Sequence, residues 1–236
     1  MSQAQDLIHE ILPVGMLQCN CHIIGDPQTR EAIVIDPGDE PARILDVIAR
    51  HNLKISAILV THTHIDHVIG LRSLREATGA PVYVHADDLD LYRMLDAQAS
   101  WLGWKIPETT QIDQFVREGD VIRWGGYEAQ IIHTPGHTPG SICVYMPSDL
   151  PLMASSDAGG VAVKSAKRGT GRLFAGDTLF EGSIGRTDLW GGSFEGIIRS
   201  LKGKLLDLPD ETVVYPGHGG STTIGKERAT NPFLLQ

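Results

Sequence analysis

The stretch Thr61-His62-Thr63-His64-Ile65-Asp66-His67 is the part of the sequence from which the rest is best interpreted. It follows an apolar run at residues 55–60 that predicts a buried strand, and it precedes a pattern typical of a helix. Its imidazoles and carboxylate are the N and O ligands that divalent metals such as zinc favour. We expect His62 and His64 to face one ion, and Asp66 and His67, beyond the bend, to face a second. A solvated histidine-rich turn is the alternative, but chance rarely assembles this pattern.

Length, composition and charge are those of a folded domain. The 236 residues, of which 42% are hydrophobic and 21% charged, are enough for one large α/β domain or two small ones, and we expect a single domain over residues 1–236. A formal charge of −9 disfavours binding to a phosphate backbone. The N-terminus lacks a basic segment followed by an apolar core, and no apolar run approaches the roughly 20 residues of a membrane span. We therefore expect a cytoplasmic protein with no nucleic-acid and no membrane partner.

The three cysteines, Cys19, Cys21 and Cys143, form an odd set without metal-finger spacing. Cys19 and Cys21 lie in a predicted strand, and we expect them to point to opposite faces and to remain unpaired. Buried or idle thiols are therefore predicted.

Apolar periodicity predicts strands and helices in alternation, which favours an α/β fold. Strands and hairpins are predicted at residues 14–25, 32–35, 55–60, 81–85, 121–133, 141–146, 173–175 and 212–215. Helices are predicted at residues 41–51, 68–78, 86–96 and 193–206, the last with Ser193 at its cap position. Residues 147–171 show little periodicity, and we interpret them as a surface insert because residues of metal-ligand type recur after them.

The regular pattern dissolves between residues 101 and 114, where Trp101 and Trp104 lie. These two side chains either line a pocket or cover an edge of the core, and we favour the covering role. The apolar residues 101–106 are also the first place to look for a subunit contact, since the sequence leaves the oligomeric state open.

Three further candidate ligands stand on tight glycine turns at strand ends. His137 lies in a Pro-Gly turn, Asp177 follows the strand at 173–175, and His218 follows the last strand. Ends of strands form the rim of an α/β sheet where sites are built. A lone glycine-flanked histidine is more often a loop residue, but together with the histidine loop these turns predict one metal centre. The other histidines, including His85 and His133, match no ligand position and are expected to be structural.

Eight residues resemble, in order, the complete metal pattern of the metallo-β-lactamase superfamily: Asp36, His62, His64, Asp66, His67, His137, Asp177 and His218. The resemblance implies a four-layer αββα sandwich with the site at the edge between two sheets. It implies a first metal ion held by His62, His64 and His137, and a second held by Asp66, His67 and His218. Asp177 would bridge both ions, and Asp36 would orient the histidine loop from behind the ligands.

The chemistry implied is hydrolysis of an activated acyl compound. Two divalent ions, most readily zinc with iron or manganese also compatible, lower the pKa of a shared water. One ion can polarise a carbonyl oxygen while the other stabilises the leaving group. Asp66 is the candidate catalytic residue, which orients the water and takes its proton.

Two stretches resemble the glyoxalase II-like branch of this superfamily, namely residues 182–189 and the tail from 217 to 233. That branch cleaves thioesters, and its reference substrate is S-D-lactoylglutathione, so the resemblance implies a small-molecule thioester substrate. Arg186, Lys226 and Arg228 are candidate contacts for a substrate carboxylate. A structural ion pair for Arg186, and a solvated helix face for the other two, are the alternatives.

The same fold supports other activities, and features of this sequence disfavour each of them. Persulfide dioxygenases share a similar Gly-Arg-Thr-Asp stretch but use one iron, held by two histidines and an aspartate, and the two-metal set leans against them. A lactonase or β-lactamase would use the same ligands on a ring and is disfavoured by resemblance outside the metal pattern. The acidic balance disfavours a nuclease. The chain has no room for the flavin domain of an electron-transfer module, and the intact ligand set disfavours a non-catalytic role.

Overall fold

Two six-stranded β-sheets, each formed by one half of the chain, lie face to face in the computed structural model, which describes residues 6–147 and 170–235. In spatial order the first sheet contains β1 (Ile8–Val14), β2 (Cys19–Gly25), β3 (Glu31–Ile35), β4 (Lys54–Leu59), β5 (Val82–His85) and β6 (Gln114–Val116). The second contains β14 (Thr222–Thr223), β13 (Val213–Pro216), β10 (Arg172–Gly176), β9 (Ile142–Met146), β8 (Tyr127–His133) and β7 (Val121–Trp124). A separate hairpin consists of β11 (Leu179–Phe180) and β12 (Ser183–Ile184).

Helices cover the outer face of each sheet. In the described part of the chain they are α1 (Pro41–Arg50), α2 (Ile65–Val68), α3 (Leu71–Thr78), α4 (Leu89–Arg93), α5 (Leu95–Leu102), α6 (Phe194–Gly203) and α7 (Ile224–Thr230). Their apolar residues recur at helical spacing, so one stripe of each long helix is buried, as in Ile44, Val47 and Ile48 of α1. No helix in the described ranges is both long enough and apolar enough to cross a membrane.

Three buried layers of side chains hold the sandwich together. The middle layer joins the two sheets and includes Ile33 and Leu59 from the first and Ile131 and Phe174 from the second. A second cluster packs the first sheet against α1, α3, α4 and α5, and a third packs the second sheet against α6 and α7. Helix, sheet, sheet and helix thus form four layers, which confirms the predicted αββα fold.

The strand directions bring the ends of several strands to one edge. Strands β3, β4 and β5 run parallel, so the histidine loop that follows β4 lies at the carboxyl edge of the first sheet. In the second sheet β10 and β13 run parallel, and β8 has the same direction because both β8 and β10 are antiparallel to β9. The segments after β8, β10 and β13 therefore share one edge, where the predicted ligands stand.

Several predicted elements have different bounds in the structure. Strand β1 was not predicted, because His9 and Glu10 interrupt its apolar pattern. The single helix expected at residues 86–96 is a 3₁₀ turn (Ala86–Asp88) followed by α4 and α5, which are separated at Met94. Trp101, which was expected in an irregular stretch, lies instead in α5, which continues to Leu102 and ends at Gly103 in the left-handed conformation.

The prediction that Cys19 and Cys21 point to opposite faces is also wrong. Side chains alternate with a period of two along a strand, so residues two apart share a face. Both thiols lie in the cluster between the first sheet and its helices. Cys19, Cys21 and Cys143 are nevertheless buried free thiols, as expected. The predicted surface insert, residues 147–171, falls almost entirely outside the described residues.

Two histidines lie in the interface between the sheets. His9 on β1 and His22 on β2 stand 3.2 Å apart, measured from Nε2 of the first to Nδ1 of the second. His22 packs edge to face on Phe174 at 5.0 Å, and His9 does the same on Tyr215 at 4.8 Å. Burial, together with Arg172, lowers the pKa of His9 to about 4, and burial and then His9 lower the pKa of His22 well below its ordinary value. Both imidazoles are therefore neutral in the folded protein near pH 7.

Candidate metal centre

The first four candidate ligands come from the loop and short helix that follow β4. His62 and His64 lie in the extended segment after the strand, and Asp66 and His67 lie in the first turn of α2. The chain turns at His64, whose extended backbone precedes the helix. This turn sends the first two imidazoles toward one point and the following pair toward another, as the spacing predicts.

His62, His64 and His137 form the first group of candidate ligands. Nε2 of His137 lies 3.2 Å from Nε2 of His62 and 2.9 Å from Nδ1 of His64. All three side chains are buried. Three ring nitrogens that converge at this spacing match the donor set of a metal held by three histidines.

Asp66, His67 and His218 form the second group. Nε2 of His218 lies 3.2 Å from Oδ2 of Asp66, and Nε2 of His67 lies 3.6 Å from the same oxygen. Asp177 stands between the groups: Oδ1 is 3.6 Å from His67, and Oδ2 is 3.7 Å from both His137 and His218. The structure thus places one oxygen of Asp177 toward the second group and the other toward both, which is where a bridging carboxylate would stand.

The chemistry of this cluster fits divalent metal ions. Nε2 of His64, Nε2 of His67 and Oδ1 of Asp177 are buried with no hydrogen-bond partner among the described residues. Such orphaned polar atoms are costly unless something binds them. Burial and the neighbouring imidazoles lower the pKa of His62 and of His64, the latter to about 3, so both keep lone pairs available for a metal.

The second group carries more charge. Burial alone would raise the pKa of Asp66, but His67 and His218 outweigh it and hold the pKa well below its usual range. Burial opposes protonation of His67 and His218, yet the surrounding acidic groups raise the pKa of both imidazoles. An ionised carboxylate at Asp66 is what both a metal ligand and a proton acceptor require.

Asp36 lies directly behind the histidine loop. Its Oδ1 accepts the backbone N–H of Thr61 at 2.7 Å, and its Oδ2 accepts the Thr61 hydroxyl at 2.7 Å. The same Oδ2 lies 3.0 Å from Nδ1 of His67, which leaves Nε2 of that ring facing the cluster. Asp36 itself adopts a left-handed backbone with φ of 52°. A residue held in such a strained conformation is often part of a functional site.

Backbone carbonyls orient two more rings. Nδ1 of His137 lies 2.8 Å from the carbonyl oxygen of Arg186, and Nδ1 of His218 lies 2.9 Å from that of Leu17. In each case a donated N–H fixes the tautomer and leaves Nε2 as the free acceptor. Close backbone packing supports this arrangement: a Cβ at Gly217 would lie 2.2 Å from Oδ1 of Asp177.

Asp88, which no pattern in the sequence marks, supports both loops of the first group. It is 1% exposed and joins the two loops that carry the first group. Its Oδ2 accepts the N–H of Thr63 at 2.9 Å and the hydroxyl of Thr138 at 3.0 Å, while Oδ1 accepts the N–H of Gly140 at 2.6 Å. Burial raises the pKa of its carboxyl group against these hydrogen bonds. In the sequence it is one half of an Asp-Asp pair, which resembles an exposed turn.

A cavity of about 260 Å³ opens onto the ligand cluster. Five of the candidate ligands line it, namely His64, Asp66, His137, Asp177 and His218. Its walls are mainly apolar and include Leu17, Ile65, Trp101, Leu102, Leu189 and Trp190, together with Gln98 and Arg186. Trp101 therefore lines a pocket, contrary to the favoured covering role, whereas Trp104 packs against the core as expected.

Of the three predicted substrate contacts, Arg186 lies at the cavity, whereas Lys226 and Arg228 lie elsewhere. Arg186 lines the cavity, and its guanidinium donates two hydrogen bonds to Asp188, at 2.8 and 2.9 Å. Lys226 forms an ion pair with Glu181, and Arg228 forms one with Asp210. Neither of these two cations is among the residues that line the cavity.

His85 and His133 stack with their ring centroids 3.9 Å apart and form a further group of possible ligand atoms with Asp87. Their ring planes are only 12° from parallel. The in-plane lone pairs of stacked rings do not converge on one point, so this geometry favours the predicted structural role.

The metallo-beta-lactamase superfamily model matches residues 14–150 and 152–218. An uncharacterized protein of Mycobacterium leprae is 39% identical over 94% of this chain and 96% of its own length. The hydroxyacylglutathione hydrolase GloC of Haemophilus influenzae is 35% identical over 95% of this chain and 97% of its own length.

Solved structures show the same likeness. BLEG-1 B3 metallo-beta-lactamase has a TM-score of 0.81 at 31% identity and covers 97% of this chain and 100% of its own. TTHA1623, solved in a di-iron-bound form, has a TM-score of 0.77 at 37% identity, covering 95% of this chain and 100% of its own. ETHE1 from Myxococcus xanthus has a TM-score of 0.73 at 30% identity, covering 95% of this chain and 83% of its own.

Proposed function

The chain belongs to the metallo-beta-lactamase superfamily of metal-dependent hydrolases, and we propose that it hydrolyses a thioester of the glyoxalase II type, such as S-D-lactoylglutathione. The observation that carries this proposal is the likeness over nearly its whole length to the Haemophilus influenzae hydroxyacylglutathione hydrolase. The stretch from Gly182 to Leu189 supports it, because it supplies a cavity wall and, through the Arg186 carbonyl, orients His137.

We propose that two divalent ions occupy the cluster. His62, His64 and His137 would hold one, Asp66, His67 and His218 the other, and Asp177 would bridge them. When bound, such ions lower the pKa of a water and polarise a substrate carbonyl oxygen. Zinc, iron and manganese all accept these N and O ligands, and the di-iron form of TTHA1623 is a precedent for iron in a relative.

The side chains around the cluster would position the attacking water, accept its proton and exclude bulk water. Asp66 lines the cavity, and its Oδ2 lies 3.2 Å from Nε2 of His218 in the second group, so we assign it to orient the attacking water and accept its proton. The apolar walls exclude bulk water from the acyl group, which strengthens electrostatic interactions at the reacting carbonyl. Departure of the thiol with a proton then completes hydrolysis to a carboxylic acid and a free thiol.

The direct test is thiol release from S-D-lactoylglutathione by protein of known metal content, followed with a chromogenic thiol reagent. We expect turnover that a chelator abolishes and that added metal restores. An Asp177→Ala variant is expected to lose one metal equivalent and at least about a hundredfold in kcat/KM, because supporting residues alone account for 10–100-fold in such sites. His51→Gln, a surface change at a residue paired with Glu10, serves as the control.

The possible results test the bridging role of Asp177 and the thioesterase activity independently. If Asp177→Ala keeps two metal equivalents and full activity, the bridging role is wrong. If metal-loaded wild-type protein releases no thiol, the thioesterase proposal fails. Oxidation of a persulfide at a single iron, favoured by the Gly185-Arg186-Thr187-Asp188 stretch, and opening of a lactone ring then become the functions to assay.

A further inference from the structure

Two indoles from separate parts of the chain meet beside the ligand cluster. Trp101, near the end of α5, and Trp190, which follows the β11–β12 hairpin, lie edge to face with ring centroids 5.9 Å apart. Both line the cavity described above. Leu17, Leu102 and Leu189 extend this apolar wall. The contact therefore builds an aromatic corner within the cavity itself.

The Trp101 indole is exposed and does not pack against the core of the protein. Its side chain is 58% exposed, and Leu17 in the same wall is 49% exposed. Trp104, three residues along the chain, instead packs against the cluster under the first sheet. Covering exposed aromatic surface with an apolar ligand is favourable, and rings add edge-to-face or stacking contacts.

The charged side chains that line the cavity also favour an apolar ligand in the aromatic corner. Arg186 is the one permanently cationic side chain among the lining residues that the structure describes, and its guanidinium is already engaged by both oxygens of Asp188. The aromatic corner itself, formed by Trp101 and Trp190, carries no charge, so an anionic group placed against it would give up its hydration without gaining an ionic partner.

The size of the cavity decides which part of a thioester enters. The carbonyl carbon must reach the ligand cluster, so the acyl group has to lie inside. A glutathione moiety carries charged termini that favour water, and it would extend out of a cavity of about 260 Å³. The acyl group is thus the part that meets the two indoles.

We infer that Trp101 and Trp190 form a pocket for an apolar, planar substituent of the acyl group, so that the preferred substrate is an aryl-substituted 2-hydroxyacyl thioester and Trp101 is a specificity-determining residue. This inference rests on the proposed thioesterase function. It names the acyl class on which that function acts best.

The test compares S-D-mandeloylglutathione with S-D-lactoylglutathione, which share the thiol and the 2-hydroxyl group and differ in a phenyl against a methyl group. After correction for spontaneous hydrolysis, we expect wild-type kcat/KM to favour the mandeloyl thioester by about tenfold or more, mainly through KM. Trp101→Ala is expected to reduce this preference by about tenfold. Trp101→Phe, which keeps an aromatic ring, should retain most of it, and Trp104→Phe should leave it unchanged.

A binding measurement separates this inference from the proposed function. Free D-mandelate is expected to quench the tryptophan fluorescence of wild-type protein saturably, and Trp101→Ala is expected to weaken that binding about tenfold. D-lactate is the matched ligand and should bind more weakly than D-mandelate.

Equal kcat/KM for the two thioesters, or a preference that survives Trp101→Ala, overturns the inference while the thioesterase proposal stands. If metal-loaded protein cleaves neither thioester, the proposed function fails. Mandelate binding that depends on Trp101 would in that case still support the aromatic pocket, and its absence would overturn it.

Discussion

Asp88 ties the two histidine-bearing loops together through three hydrogen bonds from Thr63, Thr138 and Gly140. An Asp88→Asn change replaces one acceptor oxygen with an amide donor that faces existing donors. We expect it to lower the free energy of unfolding by about 1–3 kcal/mol, since a buried donor loses its partner. Metal retention should fall too, because His64 and His137 lose their shared support. Urea unfolding and metal content after dialysis measure the two effects.

The matched control is Asp87→Asn, since the Asp87 side chain is 58% exposed. It should change stability by no more than about 0.5 kcal/mol. Equal behaviour of the two variants would refute the structural role given to Asp88.

Asp88 also shows what the sequence alone could predict at this scale. The seven candidate ligands could be identified because each stands beside a turn or a strand end that the sequence marks with glycine, proline or an apolar run. The role of Asp88 depends on donors from residues 25 and 50 or more positions away, as its bonds to Thr63 and Thr138 show. No local pattern contains that information. The same holds for Gln98, which accepts the N–H of Ile65 at 2.9 Å.

Helix α6 supports the His137 loop from the outer face of the second sheet. Ser193 caps it by accepting the N–H of Gly196 at 3.0 Å, and the Ser193 N–H donates to the carbonyl of Gly136. Ser193→Ala is expected to destabilise the protein by about 1 kcal/mol, with an unchanged urea m-value, because the helix loses its cap. Ser193→Asp keeps an acceptor at the cap and should restore stability. Equal losses in both variants would contradict the capping argument.

Helices and strands were predicted correctly where the apolar residues follow a single helical or strand spacing. The helix predicted after Ser193 and the buried strands β4 and β9 follow directly from apolar spacing. Helix α5 was missed beyond residue 96 because Trp101, near its end, is exposed and lines the cavity, whereas Leu102 packs against the core, so their spacing does not mark one buried stripe. An exposed aromatic residue at that helix end interrupts the pattern on which helix prediction depends.

The interface between the sheets makes the stability of the whole molecule depend on pH. His9 and His22 are neutral there, and their pKa values lie below the ordinary value of 6.5, at about 4 for His9. The unfolded chain binds protons on these rings at higher pH than the folded protein does. The contribution of these two rings to stability is therefore full above pH 6.5 and falls as the pH is lowered from 6.5 toward 4.

We expect His22→Gln to reduce the slope with which the free energy of unfolding falls at acid pH, by up to about 1.4 kcal/mol per pH unit. The reason is that one imidazole no longer has to stay neutral in the folded protein. Urea unfolding of chelator-treated protein at pH 7, 6 and 5 measures it and keeps metal loss out of the comparison. Tyr215→Phe, in the same interface, should keep the wild-type slope. Parallel curves for wild type and His22→Gln would show that this ring does not drive the loss.

Each sheet of the sandwich is a continuous half of the chain, with β1 to β6 ending at Val116 and β7 beginning at Val121. Because translation proceeds from the N-terminus, the first half is synthesised before any strand of the second half. It then carries four of the seven candidate ligands and an uncovered apolar face that includes Ile33 and Leu59. The nascent chain must therefore protect that face from aggregation until its partner sheet is translated. The candidate ligand set is complete only when synthesis has passed His218, shortly before β14 and α7 complete the second sheet and its outer layer.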